Sequence, residues 1–438
     1  MHFYIGYNKM LEKSDAIGFV YTQQDIQTKH IIIKNKQDMF KIMPLHSVRI
    51  NKENIQVSEI SGKCTDKLKS LLQKVFNECC QNINFFKRFA KVGVLNTLRN
   101  IKNLDRCNRI DSIRKYKGTA ILIASGASLD YNLDDIYNMQ ENHCIIVCGS
   151  SFKTLINAGI LPDYVVTVDS GPTNKWHFYS KQKSKFSNID QNISNMINVN
   201  LIYNISVDPS IPIYFNKFPV ATNAFTMTKE LARMYEIPVF ELGMSVSVST
   251  VQIANYLGFD SALLYGYDFG YYKGKTQTYT HRYKRKGNKT TTKGVSGIVK
   301  TDNILLTYLN NIECHLEKIN MKCENRSNCA YIKHCQKVDI QKSPKQIDTI
   351  KKHKYKTNNL KELYVQLDDY LTYMIDCIKR NDLKKFNMTK FNQILYLIKE
   401  CFIEENMPKP KTKEEAIKQD LGILINRQKF IKDIIAVL

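Results

Sequence analysis

The chain has 438 residues, 43% hydrophobic and 24% charged, a composition that suits a folded protein of two or three domains. No run approaches the roughly 18 apolar residues of a membrane helix, and Lys9 and Glu12 interrupt the N-terminus MHFYIGYNKMLEKSD, so no signal peptide and a cytoplasmic protein are expected. The net charge of +23, from 64 Lys and Arg against 41 Asp and Glu, is spread along the chain without an RNP motif, zinc finger or groove-reading basic helix; it argues against nucleic-acid recognition and favours anionic ligands.

Residues 1–85 mix short apolar stretches (IGFVYT, HIIIKN, SVRINKENIQV) with polar breaks, and then DKLKSLLQKVFNECC has helical spacing. This predicts a small N-terminal α/β domain. Residues 86–116 read as helical and lead into a middle region, 117–310, in which short apolar strands alternate with helices, 86–310 together forming a central domain. TAILIA (119–124) precedes NLDDIYNMQ, CIIVCG (144–149) precedes SFKTLINAG, and DYVVTV (163–168) precedes a loop and WHFYSK. NLIYNIS (200–206), PVFELG (238–243) and SALLYG (261–266) follow. Strands that are apolar throughout belong in a sheet covered on both faces. The predicted class is therefore α/β, a doubly wound and mainly parallel sheet of Rossmann-like type.

From 311 onward strands largely vanish from the pattern. A Lys-rich stretch at 336–358 reads as a linker, and apolar residues from Leu360 to Ile378 recur at three- and four-residue spacing. That spacing marks an amphipathic helix, with further helices predicted near 389–405 and 413–436. The region 311–438 is thus a linker and a helical C-terminal domain. Twelve cysteines in a cytoplasmic chain are expected as reduced thiols. Cys144 and Cys148 alternate with apolar residues and read as core. Cys314, His315, Cys323, Cys329, His334 and Cys335 form a cluster without a CxxC or HxxxH pair, so no metal site is assigned to it.

Ligands of an open parallel sheet bind beyond the carboxyl ends of its strands, so the residues after each strand carry the functional reading. After TAILIA comes Ser125-Gly126-Ala127-Ser128-Leu129-Asp130, a small-residue turn entering a helix, the setting of a backbone anion site. After CIIVC comes Gly149-Ser150-Ser151. After DYVVTV come Asp169, Ser170, Gly171, Pro172 and then Asn174. After PVFEL come Gly243, Met244 and Ser245, opening a helix that runs to Gly258. After SALLY come Gly266, Tyr267 and Asp268. Five such turns on one sheet edge are better explained by a site than by chance. There is no Asp-X-Asp, so a metal clamp from one loop is absent, and Asp208 in SVDPS reads as a turn residue. Between Asp268 and Asp302 no acid occurs, while nine Lys or Arg fall between Lys273 and Lys300. The segment reads either as a basic lid over an anion or as a solvated excursion. It carries Tyr271, Tyr279 and His281, and a neutral histidine can take a proton from an attacking hydroxyl.

NTLRNIKNL (96–104), KGTAILIASGASLDYNL (117–133), LINAGILPDYVVTVDSGP (155–172) and LLYGYDFGYYKGKTQTYTH (263–281) resemble, in order and spacing, the motility-associated factor (Maf) family of flagellin glycosyltransferases. The central domain of that family is shared with MptE-like pterin pyrophosphokinases and is similar to sialyltransferases of the GT-A-like type. The resemblance covers 94–300, about half of the chain. It implies an inverting transfer of a nonulosonic acid (pseudaminic or legionaminic type) from a CMP-sugar to Ser or Thr of flagellin, with no metal or other cofactor required. On this mapping Ser125–Ser128 and Gly149–Ser151 hold the nucleotide, and Asp169 and Asn174 face the donor. Gly266, Tyr267, Asp268 and His281 lie at the transfer site. His281, or secondarily Asp268, is the base, and Tyr271 or Tyr279 stabilises the leaving phosphate. Two positions depart from the family: Ala127 replaces its usual Pro and Tyr267 its usual Gln. An MptE-like pyrophosphokinase would instead need ATP and Mg²⁺ held by Asp169 and Asp268. A transferase acting on surface polysaccharide and a non-enzymatic flagellin-binding chaperone are the other readings.

Overall fold

A computed structural model describes residues 2–6, 18–22, 31–33, 56–59, 85–86, 88–113, 115–178, 199–241, 245–280, 289–343, 365, 368–369, 372, 375 and 413–437. The predicted helices near 66–80 and 389–405, and most of the amphipathic stretch at 360–378, lie outside these residues. The chain divides into two compact units, Met1–Lys91 with Tyr370–Lys429, and Val92–Asp369 with Phe430–Leu438.

In the first unit, β1 (His2–Gly6), β2 (Gly18–Thr22), β3 (Ile31–Ile33) and β4 (Gln56–Glu59) form a sheet in the order β3-β2-β1-β4. β1 runs antiparallel to β2 and parallel to β4. IGFVYT and HIIIKN thus become β2 and β3, while residues 47–55 of SVRINKENIQV lie outside the described residues.

The second unit is built on β5 (Thr119–Ile123), β6 (Ile145–Cys148), β7 (Tyr164–Thr167), β8 (Asn200–Asn204), β9 (Asn216–Thr222), β10 (Val239–Phe240), β11 (Ser261–Tyr265) and, beyond a hairpin of β12 (Lys289–Gly294) and β13 (Gly297–Asp302), β14 (Lys322–Asn325). Among the described residues the main sheet has eight strands in the order β10-β9-β8-β7-β6-β5-β11-β14, and every neighbouring pair is parallel. The chain steps outward from β5 to β10 and then returns to the other side of β5 as β11. The topological switch point therefore falls between β5 and β11.

Strand alternation divides the core between the two faces. Ala120, Leu122, Ile146, Cys148, Val166 and Leu264 pack on one side with the helices Val246–Leu257 and Asn303–Leu316. Ile121, Ile123, Ile145, Val147, Val165 and Leu263 pack on the other with Ile136, Phe152 and Leu155 of the helices Leu133–Met139 and Phe152–Asn157. Cys144 and Cys148 are core residues, as their alternation suggested. Helix Val246–Leu257 starts at an N-cap serine, Ser245, and stops at Gly258, whose φ of 96° supplies the left-handed C-terminal turn.

Several strands were not anticipated. β9 was missed because NKFPVAT opens polar and contains Pro219. The proline is tolerated: residues 216 and 220 bond toward β8, so Pro219 faces the other way, where β10 pairs only from Ala221 onward. β14 (KCEN) is a polar edge strand and carries the main sheet past residue 310. In the basic segment 273–300, residues 289–302 form the β12–β13 hairpin.

A helix over residues 88–101 carries the NTLRN stretch. One turn apart on it, Asn96 Nδ2 donates to Ser206 O and Asn100 Nδ2 to Ile205 O and Val207 O, so the loop after β8 is clamped to the helix. Asn204, Ser206 and Ser170 continue this buried network between the ends of β7 and β8.

Candidate functional site

The switch-point crevice is formed by the turns after β5 and β11. Gly266, at a φ of 69°, turns the chain, and its carbonyl accepts the Gly126 N–H at 2.8 Å. A side chain at Gly126 would press on the Gly266 carbonyl and lie 2.7 Å from Asp268 Oδ2, so the two turns meet only because position 126 is glycine. Asp268, 2% exposed, reaches under the SGASLD turn. Its Oδ2 accepts the Ser128 N–H at 2.8 Å and its Oδ1 accepts the Ser128 hydroxyl. The Ala127 N–H adds to this bonding.

The N–H groups of the SGASLD turn, expected as a backbone anion site, meet the Gly266 carbonyl and the Asp268 carboxylate of the protein itself. Burial pushes the Asp268 carboxyl up to about 6, the bonds from Ser128 oppose that rise and the neighbouring Asp130 adds to it. Asp130 is half-buried, and its own pKa is raised by burial against the opposing bond from Tyr279 and the charge of Lys275.

The segment after Asp268 is an ordered arm across this edge. Thr278 N–H donates to Ser125 O at 3.1 Å, and Tyr279 N–H donates to Asp130 Oδ2 at 3.1 Å. The Thr154 hydroxyl, on the helix after β6, pairs with those of Thr278 and Thr280 at 2.9 and 2.7 Å. Residues 278–280 are thus stapled to the turn after β5 and to the helix after β6. His281 lies outside the described residues, as do Gly243 and Met244.

The remaining predicted residues separate into surface and support. Tyr267 is buried. Its hydroxyl meets the Thr250 hydroxyl at 2.6 Å and Ser247 O at 3.2 Å, placing the first turn of helix Val246–Leu257 beside β11. Ser245 is committed to capping that helix and pairs with the Ser247 hydroxyl. Asn174 is buried in its own turn, donating to Asp169 O and Thr167 Oγ1. Asp169 is exposed at the end of β7, where its Oδ1 accepts the Gly171 N–H in an Asx turn. Gly149 is packed against Phe178, Ser150 is half-exposed, and the Ser151 hydroxyl is buried without a partner among the described residues. The Tyr271 hydroxyl is likewise buried and unpartnered among them, while Tyr279 is 54% exposed. Asp208 makes the expected turn, accepting from Ser210 N–H.

Sequence reasoning did not single out Asp130, Thr154 or Ser327. Ser327 Oγ accepts the Tyr267 N–H and donates to Leu264 O, fixing the turn after β11 from the loop beyond β14. Asp130 stood in a quoted motif, but its partner is 149 positions away. Cys323, Cys329 and Cys335 are thiols whose pKa values burial raises. Among the described residues no group of three His, Cys, Asp or Glu could hold a metal ion, and no helix is long and apolar enough to cross a membrane.

Residues 95–274 match the family described as 6-hydroxymethylpterin diphosphokinase MptE-like. No curated protein matches the chain. Among solved structures the chain is similar to a MAf glycosyltransferase from Magnetospirillum magneticum AMB-1, with a TM-score of 0.56 and 14% identity over 92% of this chain and 68% of that one. The shared fold extends beyond the MptE-like stretch.

Proposed function

We propose, from a match to the MptE-like family on a fold shared with a Maf glycosyltransferase, that this protein is a glycosyltransferase. Its donor would be a CMP-activated nonulosonic acid and its acceptor a Ser or Thr of flagellin. The observation that carries this reading is the stapled arm. Thr278–Thr280 is held against the switch-point turn by Ser125, Asp130 and Thr154, and His281 follows it directly in sequence. In this reading His281 removes the acceptor hydroxyl proton as that oxygen attacks the anomeric carbon. The bond to the CMP phosphate breaks, and the exposed polar groups of the edge, Tyr279 and Ser150 among them, meet the leaving phosphate. Asp268 supports the turn instead of acting as the base, because both its oxygens serve Ser128.

The description of the matching family favours a second reading, a pterin pyrophosphokinase using ATP and Mg²⁺. Asp169 is exposed, but Asp268 is sealed beneath the turn, so the two carboxylates named for that metal do not face one opening. Thermal shifts with CMP, CDP, UDP and ATP, each with and without Mg²⁺, separate the two. Stabilisation by CMP without metal is expected. A response confined to ATP with Mg²⁺ would sink the transferase reading. His281→Ala should keep the CMP response and lose transfer by at least about a hundredfold.

A further inference from the structure

Strand β14 runs parallel to β11, and Cys323 within it also forms a parallel bridge with Cys335. In that bridge the Gln336 N–H donates to Cys323 O at 2.8 Å. The chain thus leaves β14, loops over residues 326–334 and returns beside its own start. Residues in register on neighbouring strands lie about 5 Å apart and project on the same face, within the Cα separation of about 4.4–6.8 Å that a disulfide spans. Both residues are thiols in this structure. Cys323 is 1% exposed and Cys335 half-buried, and both pack in the core layer that holds Tyr267. Cys329, midway along the loop, has its sulfur against Gly270 instead. The loop bracketed by the pair holds the switch-point turn from below. Arg326 N–H donates to Leu264 O and Ala330 N–H to Asp268 O, at 2.9 and 3.0 Å, and Ser327 Oγ accepts the Tyr267 N–H at 2.7 Å. Asn325 Nδ2 donates across the loop to Ala330 O. Residues 264–268, which seat Asp268 under the SGASLD turn, are therefore fixed by a loop whose two ends are cysteines in register.

We infer that Cys323 and Cys335 are an oxidation site, a thiol pair that closes to a disulfide and locks the loop beneath the Asp268 turn. The co-reactant is a low-molecular-weight disulfide of the glutathione type. The more exposed Cys335 reacts first: its thiolate attacks one sulfur of the small disulfide and expels one thiol. Cys323 then attacks the Cys335 sulfur of the mixed disulfide and expels the second. One S–S bond forms and one breaks. Two electrons pass from the protein to the small disulfide, and the two thiol protons leave on its two halves. Burial pushes the Cys335 thiol up to about 12 and raises that of Cys323, with the neighbouring Cys335 adding to the rise. Little thiolate is present at neutral pH, so closure is slow there and speeds up as pH rises. The assignment does not depend on the transferase reading.

Peptide mapping of the full chain tests it, after incubation of the folded protein with oxidised glutathione at about pH 8, alkylation and digestion with trypsin. Cleavage after Lys322, Arg326, Lys333 and Lys337 puts Cys323, Cys329 and Cys335 on separate peptides. Peptides 323–326 and 334–337 are expected joined, two hydrogen masses below their sum, and separated again by dithiothreitol. Amide hydrogen exchange over 264–268 and 326–330 should slow by about tenfold in the oxidised chain. Cys335→Ser should abolish both effects, and Cys329→Ala should leave both intact. The wild-type peptide map decides the pairing even where a variant folds poorly. A link from either cysteine to Cys329, glutathione retained on Cys335 alone, or no reaction in the folded chain would overturn the assignment. A Cys323–Cys335 link with unchanged exchange over 264–268 would remove the lock.

Discussion

Asp268 sits where the SGASLD turn would otherwise receive an external anion, and its environment makes it a measurable pH probe of that turn. Its folded-state pKa of about 6 lies above the ordinary value of 3.8 because burial penalises the charge more than the Ser128 bonds favour it. Between about pH 4 and 6 the native state therefore holds a proton that the unfolded chain has lost. Stability contributed by the protonated form is fully present below that window and declines as pH rises through it, by up to roughly 3 kcal/mol, then stays level. Asp268→Asn is neutral at every pH and keeps an oxygen for the Ser128 N–H. Urea midpoints at pH 4.5, 6 and 7.5 should show wild type losing ground to the variant up to about pH 6 and no further change above 7. A constant difference across that range would mean that Asp268 does not titrate there. The same residue marks the boundary of what the sequence could say. GYD after an apolar strand was legible as a strand-end turn; that its carboxylate would fill the neighbouring turn depended on a partner 140 positions away.

At the scale of elements, the helix over residues 88–101 is fastened to the sheet edge by side-chain amides as well as by apolar packing. Asn100 satisfies two buried carbonyls, Ile205 O and Val207 O, at 2.8 and 2.9 Å. Asn100→Leu conserves size, removes both donors and should cost about 2–6 kcal/mol, since each orphaned buried group costs about 1–3. The measurement is the urea midpoint at unchanged slope; a loss under 0.5 kcal/mol would mean that water reaches those carbonyls. The parallel strands were legible because β5, β6, β7 and β11 are apolar on both faces, as only a doubly covered sheet requires. β14 escaped because an edge strand needs no such pattern. The β12–β13 hairpin escaped because KTTTKG and GIVKTD are largely exposed, and lysines with threonines read equally well as a solvated loop. Ser327 belongs to the same class of loss: one serine in a loop gives no sign that it holds the turn after β11.

At the scale of the whole molecule, the last residues of helix Lys413–Val437, Phe430–Leu438, belong to the sheet-bearing unit. Phe430, Ile431 and Ile434 are all but inaccessible to solvent, spaced as one stripe of a helix, whereas Lys432 and Asp433 between them are exposed. Truncating a buried isoleucine to alanine costs about 2–5 kcal/mol through lost transfer energy and the cavity left behind. Ile431→Ala with Ile434→Ala should therefore remove about 4–10 kcal/mol, a large share of the 5–15 kcal/mol that holds a typical domain together. Limited proteolysis and thermal melting provide the readout. The double variant should expose the sheet-bearing unit to cleavage and lower its melting temperature by ten degrees or more. Lys432→Ala with Asp433→Ala, on the exposed side of the same turn, should change neither. If the two variants behave alike, the last turn of the chain contributes nothing to that unit, and its burial reflects proximity without packing energy.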